Sequence, residues 1–373
     1  MRTLAQLRGL AERGHELEVA AFAAPESPPL PPPEKLAVRA TTVDSPGEGT
    51  AGDWLRSSGG SELPWGVRQR ASAAMRSAVA ERSQGVDAVV AVKLPMAQYL
   101  ESVAGPLRVY DALDVESLAL AQIARLGGGG LARVHAVREV AAVERYERRL
   151  AKLADVVTAV TDADAAALGA LAPGLPIRAV PIGLDASEYR SLWQRGTPEL
   201  AFFGDLGWRP NSDAAIHLCQ DVVPLLPVRP RVTIAGRRPG GDVRRLAGPG
   251  VEVTGAVPAM DAVLAGDTVT VAPLRAGTGM RVKLLEAMAW GLPSVTSTIG
   301  CAGIDHGGAL VVADGAEQTA AAIAALLPDD DRRAALGRAG RELVATRYGY
   351  RESAAGLLAA IEAGQADASA SRR

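Results

Sequence analysis

Short apolar runs rich in Val, Ala, Ile and Leu alternate with segments of helical period along almost the whole chain, in two series. This alternation constrains the fold more than any other feature. Strands that are apolar throughout must be covered on both faces, and the helices between them make the strands parallel. In the first series Ala88 to Val92, Leu107 to Asp111, Val156 to Val160 and Ile177 to Pro181 read as strands. Helices are predicted at Val67 to Arg82, Pro95 to Val103, Val115 to Leu126, Val134 to Leu153 and Asp162 to Leu171. Gly183 to Pro198 has little periodicity and reads as a linker. The second series places strands at Leu200 to Phe203, Val232 to Ala235, Val251 to Thr254, Thr268 to Ala272, Ser294 to Thr296 and Leu310 to Val312. Helices between them include Asp213 to Leu226 and Met280 to Trp290, and three more close the chain. The expected class is α/β, with two doubly wound parallel sheets, and 373 residues suit two domains. Residues 1–183 make the N-terminal domain and 184–347 the C-terminal one. Residues 348–363 form a helix returning toward the first, and 364–373 an unstructured tail. Ligands of such sheets sit beyond the carboxyl ends of the strands, which predicts a cleft between the domains.

The N-terminal segment departs from the pattern. Leu4, Leu7, Leu10 and Ala11 have helical spacing, Gly14 stops that helix, and Glu16 to Phe22 alternates like a strand. A parallel sheet that begins with a helix has no strand to cross over from, so the usual first strand is expected to be absent. A Pro-rich connector, Pro25 to Pro33, precedes a strand at Leu36 to Thr42. The Gly/Ser-rich stretch Ser45 to Gly60, carrying Trp54, reads as a surface loop or as an acceptor-binding flap.

Charge and composition exclude several classes. Forty basic side chains against 42 acidic ones give a net charge of −2, which argues against a nucleic-acid binder while permitting a local basic pocket for a small anion. Two cysteines, Cys219 and Cys301, are too few for a disulfide framework or a zinc site, so a reducing cytoplasm is the expected compartment. No apolar run approaches the roughly 20 residues of a membrane span, which leaves only peripheral association with a membrane. Abundant Ala and Arg beside four lysines point to a GC-rich bacterial source.

Chemistry concentrates in Val271 to Thr298, VAPLRAGTGMRVKLLEAMAWGLPSVTST. A strand ends at Pro273, and the Gly-containing loop Arg275 to Gly279 feeds a helix starting near Met280. Amides at a helix N-terminus form an anion site, and glycines let a phosphate approach the backbone. Arg281 and Lys283 lie in the first turn, where the helix dipole disfavours cations. Their presence makes sense if an anion sits between them. Glu286 shares a face with Lys283 and can accept two hydroxyl hydrogen bonds from a ribose. The alternative is an ordinary Lys–Glu pair on a surface helix.

LLEAMAWGLPSV (Leu284 to Val295) resembles the signature of the retaining nucleotide-sugar glycosyltransferases of family four, which have the GT-B architecture of two facing Rossmann-like domains. Other segments resemble the same family in order: LAERGHE (Leu10 to Glu16), YERRLAKLADVVTAV (Tyr146 to Val160), VPIGLD (Val180 to Asp185), FFGDLGWRPN (Phe202 to Asn211), TIAGRRP (Thr233 to Pro239) and VEVTGAVP (Val251 to Pro258). The resemblance implies transfer of a sugar, without metal or cofactor, from a nucleotide-diphosphate sugar to an acceptor hydroxyl or amine. The donor would bind the C-terminal domain. The acceptor, a glycolipid, polysaccharide or secondary metabolite, would bind the N-terminal one. Glu286 would hold the ribose hydroxyls, and the amides of Gly279, Met280 and Arg281 the diphosphate. Lys283 and Arg281 would neutralise the leaving group as the sugar bond breaks. Gly204 matches the first Gly-containing loop of the donor domain, Arg209 lies near where the family places a phosphate-binding cation and would join Lys283 and Arg281 as a catalytic cation, and Gly236 and Val257 would flank the nucleobase.

Departures from the family pattern leave other readings open. Thr278 stands where the family has a further glutamate holding the donor sugar, and Leu113 stands near where relatives place a histidine that touches it, with Asp111 or Asp114 as substitutes or Asp114 as a helix cap. Ile182 replaces a common asparagine. Asp329, Asp330 and Asp331 read as a helix cap rather than a metal motif. His15 and His217 read as structural, His135 as solvated, and His306 as lying in a loop that can approach the donor. Together with the absent first strand, these departures admit a catalytically impaired GT-B relative that partners an active enzyme, or an epimerase of the same architecture.

Overall fold

The computed structural model describes residues 2–23, 38–47, 63–126, 131–264 and 266–370. They divide into two compact units, Met1–Gly183 with Tyr350–Arg373, and Leu184–Gly349. The Pro-rich connector, most of the Gly/Ser-rich loop with Trp54, and the glycines 127–130 lie outside the described residues.

Unit 1 contains α1 (Arg2–Ala11), β1 (Leu17–Ala23), β2 (Val38–Asp44), α2 (Trp65–Gln69), α3 (Ala73–Arg82), β3 (Ala88–Val92), a 3-10 segment (Leu94–Ser102) and β4 (Leu107–Asp111). It continues with α4 (Glu116–Arg125), α5 (Leu131–Arg148), α6 (Leu150–Leu153), β5 (Val156–Ala159), α7 (Asp162–Leu171) and β6 (Ile177–Ala179). Among the described residues its strands form two parallel sheets, β1–β2 and β3–β4–β5–β6. The helix predicted over Val67 to Arg82 is two helices. Ser72 breaks it, because its side chain caps α3 at the Met75 N–H and its own N–H donates to the Tyr99 hydroxyl at 3.0 Å. Asp111 is fully buried and accepts from Arg2 at 2.9 and 2.7 Å and from the Thr158 hydroxyl at 2.5 Å. Those bonds hold α1 on the sheet.

The tail expected over 364–373 is instead ordered to Ala370, as the end of the helix Tyr350–Ala370. Its small residues explain why. A Cβ at Gly364 would lie 2.4 Å from Val156 Cγ2 and 3.1 Å from Leu107 Cδ2, so glycine lets the helix lie directly on β4 and β5. Ala354 packs likewise on Gly9 of α1, where a Cβ would come within 2.5 Å.

Unit 2 contains β7 (Glu199–Phe203), α8 (Arg209–His217), β8 (Val232–Ala235), α9 (Gly241–Arg244), β9 (Val251–Gly255) and β10 (Thr268–Ala272). After these come α10 (Val282–Ala289), β11 (Ser294–Thr296), β12 (Val311–Val312), α11 (Gly315–Leu326) and α12 (Asp330–Arg347). The six strands are parallel in the order β12-β11-β10-β7-β8-β9. Leu200, Phe202, Ile234, Val269, Val271 and Val295 supply the sheet's part of the core, and Leu218, Ile323 and Leu326 cover it. Asp329 caps α12 as expected, its carboxylate accepting from the Arg332 N–H at 2.9 Å. The helix predicted over Asp213 to Leu226 starts earlier, at Arg209, and ends at His217. The chain then passes through a π-type turn (Leu218–Val222) into a 3-10 turn (Val223–Leu225), where Pro224 has no N–H to continue it.

Candidate functional site

The strand order of unit 2 marks its candidate ligand site. From β7 the chain winds outward through β8 and β9, then returns to the other side of β7 with β10 and winds the opposite way. Between β7 and β10 the crossovers therefore leave on opposite faces, opening a crevice beyond the carboxyl ends of these two strands. Gly204 follows β7 directly, and the loop from Pro273 to Arg281 follows β10. Residues distant in sequence meet there.

The glycines allow the close approach. Gly204 donates its N–H to the Ala235 carbonyl, and Gly236 donates to the Gly255 carbonyl, both at 3.0 Å. Gly204 and Gly236 have φ of 151° and 153°, conformations that side chains rarely adopt. A Cβ on Gly204 would fall 2.8 Å from the Lys283 ammonium nitrogen. The glycine after β7 and the first-turn lysine are thus in contact.

Lys283 occupies the first turn of α10, which starts at Val282, two residues later than predicted, with Arg281 as the capping position. Its Nζ donates to Asn211 Oδ1 at 2.6 Å and stands 4.2 Å from the centre of the Phe202 ring. Burial pulls its pKa down from the lysine range to about 7, the Arg281 charge adding to this while Glu286 and Asp205 oppose it. Arg281 folds back over the loop, its Nη1 donating to the Thr278 carbonyl at 2.5 Å. A Cβ at Gly277 would strike that guanidinium, so Gly277 makes room for it. Thr278 and Met280 are buried. Arg275 makes a two-bond ion pair with Asp213 of α8, at 2.9 and 2.6 Å, tying the loop to the neighbouring helix.

Glu286 lies one turn further along α10. Burial raises its carboxyl pKa to about 7, against the Tyr189 hydrogen bond and the Lys283 charge, which both lower it. The Tyr189 hydroxyl donates to Glu286 Oε1 at 3.4 Å, and its ring packs edge-on against Trp290 at 5.2 Å. Trp290 in turn meets Phe203 at 5.8 Å. The carboxylate's partner Tyr189 is thus held in a row of aromatic rings, and α10 fixes the carboxylate's distance from Lys283.

Of the residues singled out from the sequence, Gly204, Gly236, Thr278, Gly279, Met280, Arg281, Lys283 and Glu286 all lie along the carboxyl ends of β7, β8 and β10 or on the first turns of α10. Arg209 is exposed at the first residue of α8, two positions before Asn211. Val257 is half-buried, two residues beyond the end of β9. His217 is committed to Asp221, at 2.6 Å. Sequence reasoning missed Asn211, Phe202 and Tyr189. The first two lie inside the quoted FFGDLGWRPN segment, but nothing local shows that they face Lys283.

Comparison with known proteins agrees with this architecture. Residues 197–329, most of unit 2, match the family model described as Glycosyl transferases group 1. No curated protein matches the sequence. Among solved structures the chain is similar to a sucrose-phosphate synthase from Thermosynechococcus elongatus, at 16% identity over 95% of this chain and 90% of that one, with a TM-score of 0.70. It is similar to HepE from Anabaena in complex with UDP, at 13% identity over 97% and 96%, TM-score 0.66. A third is WaaG, a glycosyltransferase involved in lipopolysaccharide biosynthesis, at 18% identity over 95% and 94%, TM-score 0.62. At such identities the shared property is the fold, which is GT-B.

Proposed function

We propose that this chain is a retaining glycosyltransferase that binds a nucleoside-diphosphate sugar at the carboxyl edge of unit 2 and transfers the sugar to an acceptor hydroxyl or amine without a metal ion. The observation that carries the reading is the seating of the Lys283 ammonium against Gly204 and Asn211 at the switch point, beside the start of α10 and one turn from Glu286. The group 1 match over the same residues supports it, as does the nucleotide held by HepE of Anabaena. In this reading the diphosphate docks against the amides preceding α10. Lys283 and Arg281 take up the charge that develops on it as the sugar bond breaks, and Glu286 accepts from the ribose hydroxyls. Thr278 offers a hydroxyl to the sugar.

Incubating the purified chain with UDP-, GDP-, ADP- and dTDP-sugars, with and without EDTA, tests the reading. One nucleotide family should raise the melting temperature and be consumed at a rate that the chelator leaves unchanged. Stabilisation without consumption of any sugar, with or without acceptors, would favour the impaired accessory protein, and sugar isomerisation without acceptor the epimerase.

Glu286→Gln separates the two roles of the carboxylate. Removing a charged partner of two hydroxyls is expected to weaken nucleotide binding about 10- to 100-fold at pH 8. The ligand-free unit should meanwhile gain stability, because a carboxyl whose folded pKa is raised to about 7 binds more protons folded than unfolded. That difference costs stability as pH rises from the ordinary carboxylate range to about 7, and glutamine removes the cost. Melting curves from pH 5 to pH 8 should show the variant's advantage growing with pH. A constant offset would contradict the assignment.

A further inference from the structure

Asn211 is nearly buried in the first turn of α8, and its side-chain amide is pinned at both ends. Nδ2 donates to the Asp205 carbonyl at 2.9 Å, and Oδ1 accepts from Lys283 Nζ at 2.6 Å. The two contacts fix the amide's orientation, since the flipped amide would set its NH2 against the ammonium and its oxygen against a carbonyl. On the other sides of the ammonium stand the Phe202 ring and the space left by the missing side chain of Gly204. The charged groups facing Lys283 are Arg281 and Glu286 on its own segment and Asp205 after β7. Asp205 is itself engaged by Arg238, with Nε at 3.2 Å, and by Arg237, at 3.2 Å. An amide is thus the side chain placed to direct the ammonium, and it does so without cancelling its charge.

We propose that Asn211 is the positioning residue of the donor site: it holds the Lys283 ammonium over Gly204 through a neutral acceptor, so that the anchor does not cancel the charge the lysine presents to an arriving diphosphate. This inference rests on the function proposed above. A carboxylate at position 211 would hold the lysine more tightly but neutralise it. An apolar side chain would leave the ammonium without this acceptor and favour the neutral amine.

The test uses the full chain, with inorganic pyrophosphate and UDP as probes, titrated calorimetrically from pH 6 to pH 9.5. Asn211→Asp is expected to bind pyrophosphate at least about tenfold more weakly at pH 7 and to move the alkaline fall in affinity to higher pH. Asn211→Ala is expected to move that fall to lower pH, because a hydrogen bond favouring the ammonium is gone. Lys283→Met should abolish the alkaline fall. A merely structural role for Asn211 predicts a uniform loss at every pH with the midpoint unmoved. Unmoved midpoints in both variants, with Lys283→Met still weakening binding, would overturn the inference and leave the site assignment standing. Failure of the unmodified chain to bind either probe would overturn both.

Discussion

Lys283→Met is expected to lower sugar transfer about 100- to 1,000-fold, with donor affinity at pH 8 falling by less than about tenfold. The difference is expected because, in the proposed mechanism, Lys283 acts mainly on charge that develops late. Removing one preorganised donor from such a position costs roughly 3–4 kcal/mol of transition-state stabilisation. Methionine keeps an unbranched stem of similar length and removes the ammonium that stands over the Phe202 ring, so the loss reports the charge rather than a large cavity. The pH behaviour carries the sharper signature. In the ligand-free protein Lys283 titrates near 7, so at pH 8 it is largely neutral. An arriving diphosphate favours the ammonium and must draw a proton onto it. Nucleotide binding above pH 7 should therefore be accompanied by proton uptake, and affinity should fall as pH rises. Calorimetry in two buffers of different ionisation enthalpy measures that uptake, and the methionine variant should lack most of it. Transfer by Lys283→Met within a fewfold of the unmodified chain would remove Lys283 from the mechanism.

Much of this architecture is legible in the sequence, for an identifiable reason. Buried parallel strands such as Val232–Ala235 and Thr268–Ala272 are covered on both faces, so their composition is almost purely apolar and β-branched, and the predicted bounds agree with the structure. Local signals fail where a distant partner decides. The Val67 to Arg82 segment has helical spacing throughout, and the break at Ser72 depends on Tyr99, 27 residues away. The same holds in the site. Lys283 and Glu286 share a helix face, which spacing alone reveals, as it does the Gly-containing loop ahead of them. Asn211 lies 72 residues from Lys283, and Tyr189 lies 97 residues from Glu286. The strand order, with β7 beside β10, brings Asn211 to Lys283, and Arg341, bonded to the Tyr189 and Ala289 carbonyls, holds the connector carrying Tyr189 against α10. The perturbed titration of Lys283 and Glu286 is a property of burial, which sequence spacing does not contain.

Gly236→Ala is expected to be the most damaging single-methyl change in unit 2. An added Cβ would stand 1.7 Å from the Gly204 carbonyl oxygen and 2.8 Å from its carbon, both backbone atoms, and 3.3 Å from Leu206 Cγ. No rotamer change relieves a backbone overlap. The φ of 153° is also one that alanine rarely adopts. Relief requires the carboxyl ends of β7 and β8 to separate, which breaks the Gly204–Ala235 hydrogen bond and moves Gly204 off the Lys283 ammonium. Strained backbone and overpacking each cost about 1–3 kcal/mol, so a combined loss of about 3–5 kcal/mol is expected. For a unit of this size that corresponds to a melting temperature lower by about 6–20 °C. Gly240→Ala supplies the control: its added Cβ meets nothing within 4 Å and its φ is −69°. That variant should melt within a degree or two of the unmodified chain and bind nucleotide normally. If the two variants melted together, the strand ends would have room to spare. The glycine would then serve the nucleotide directly, and the loss would appear in binding alone.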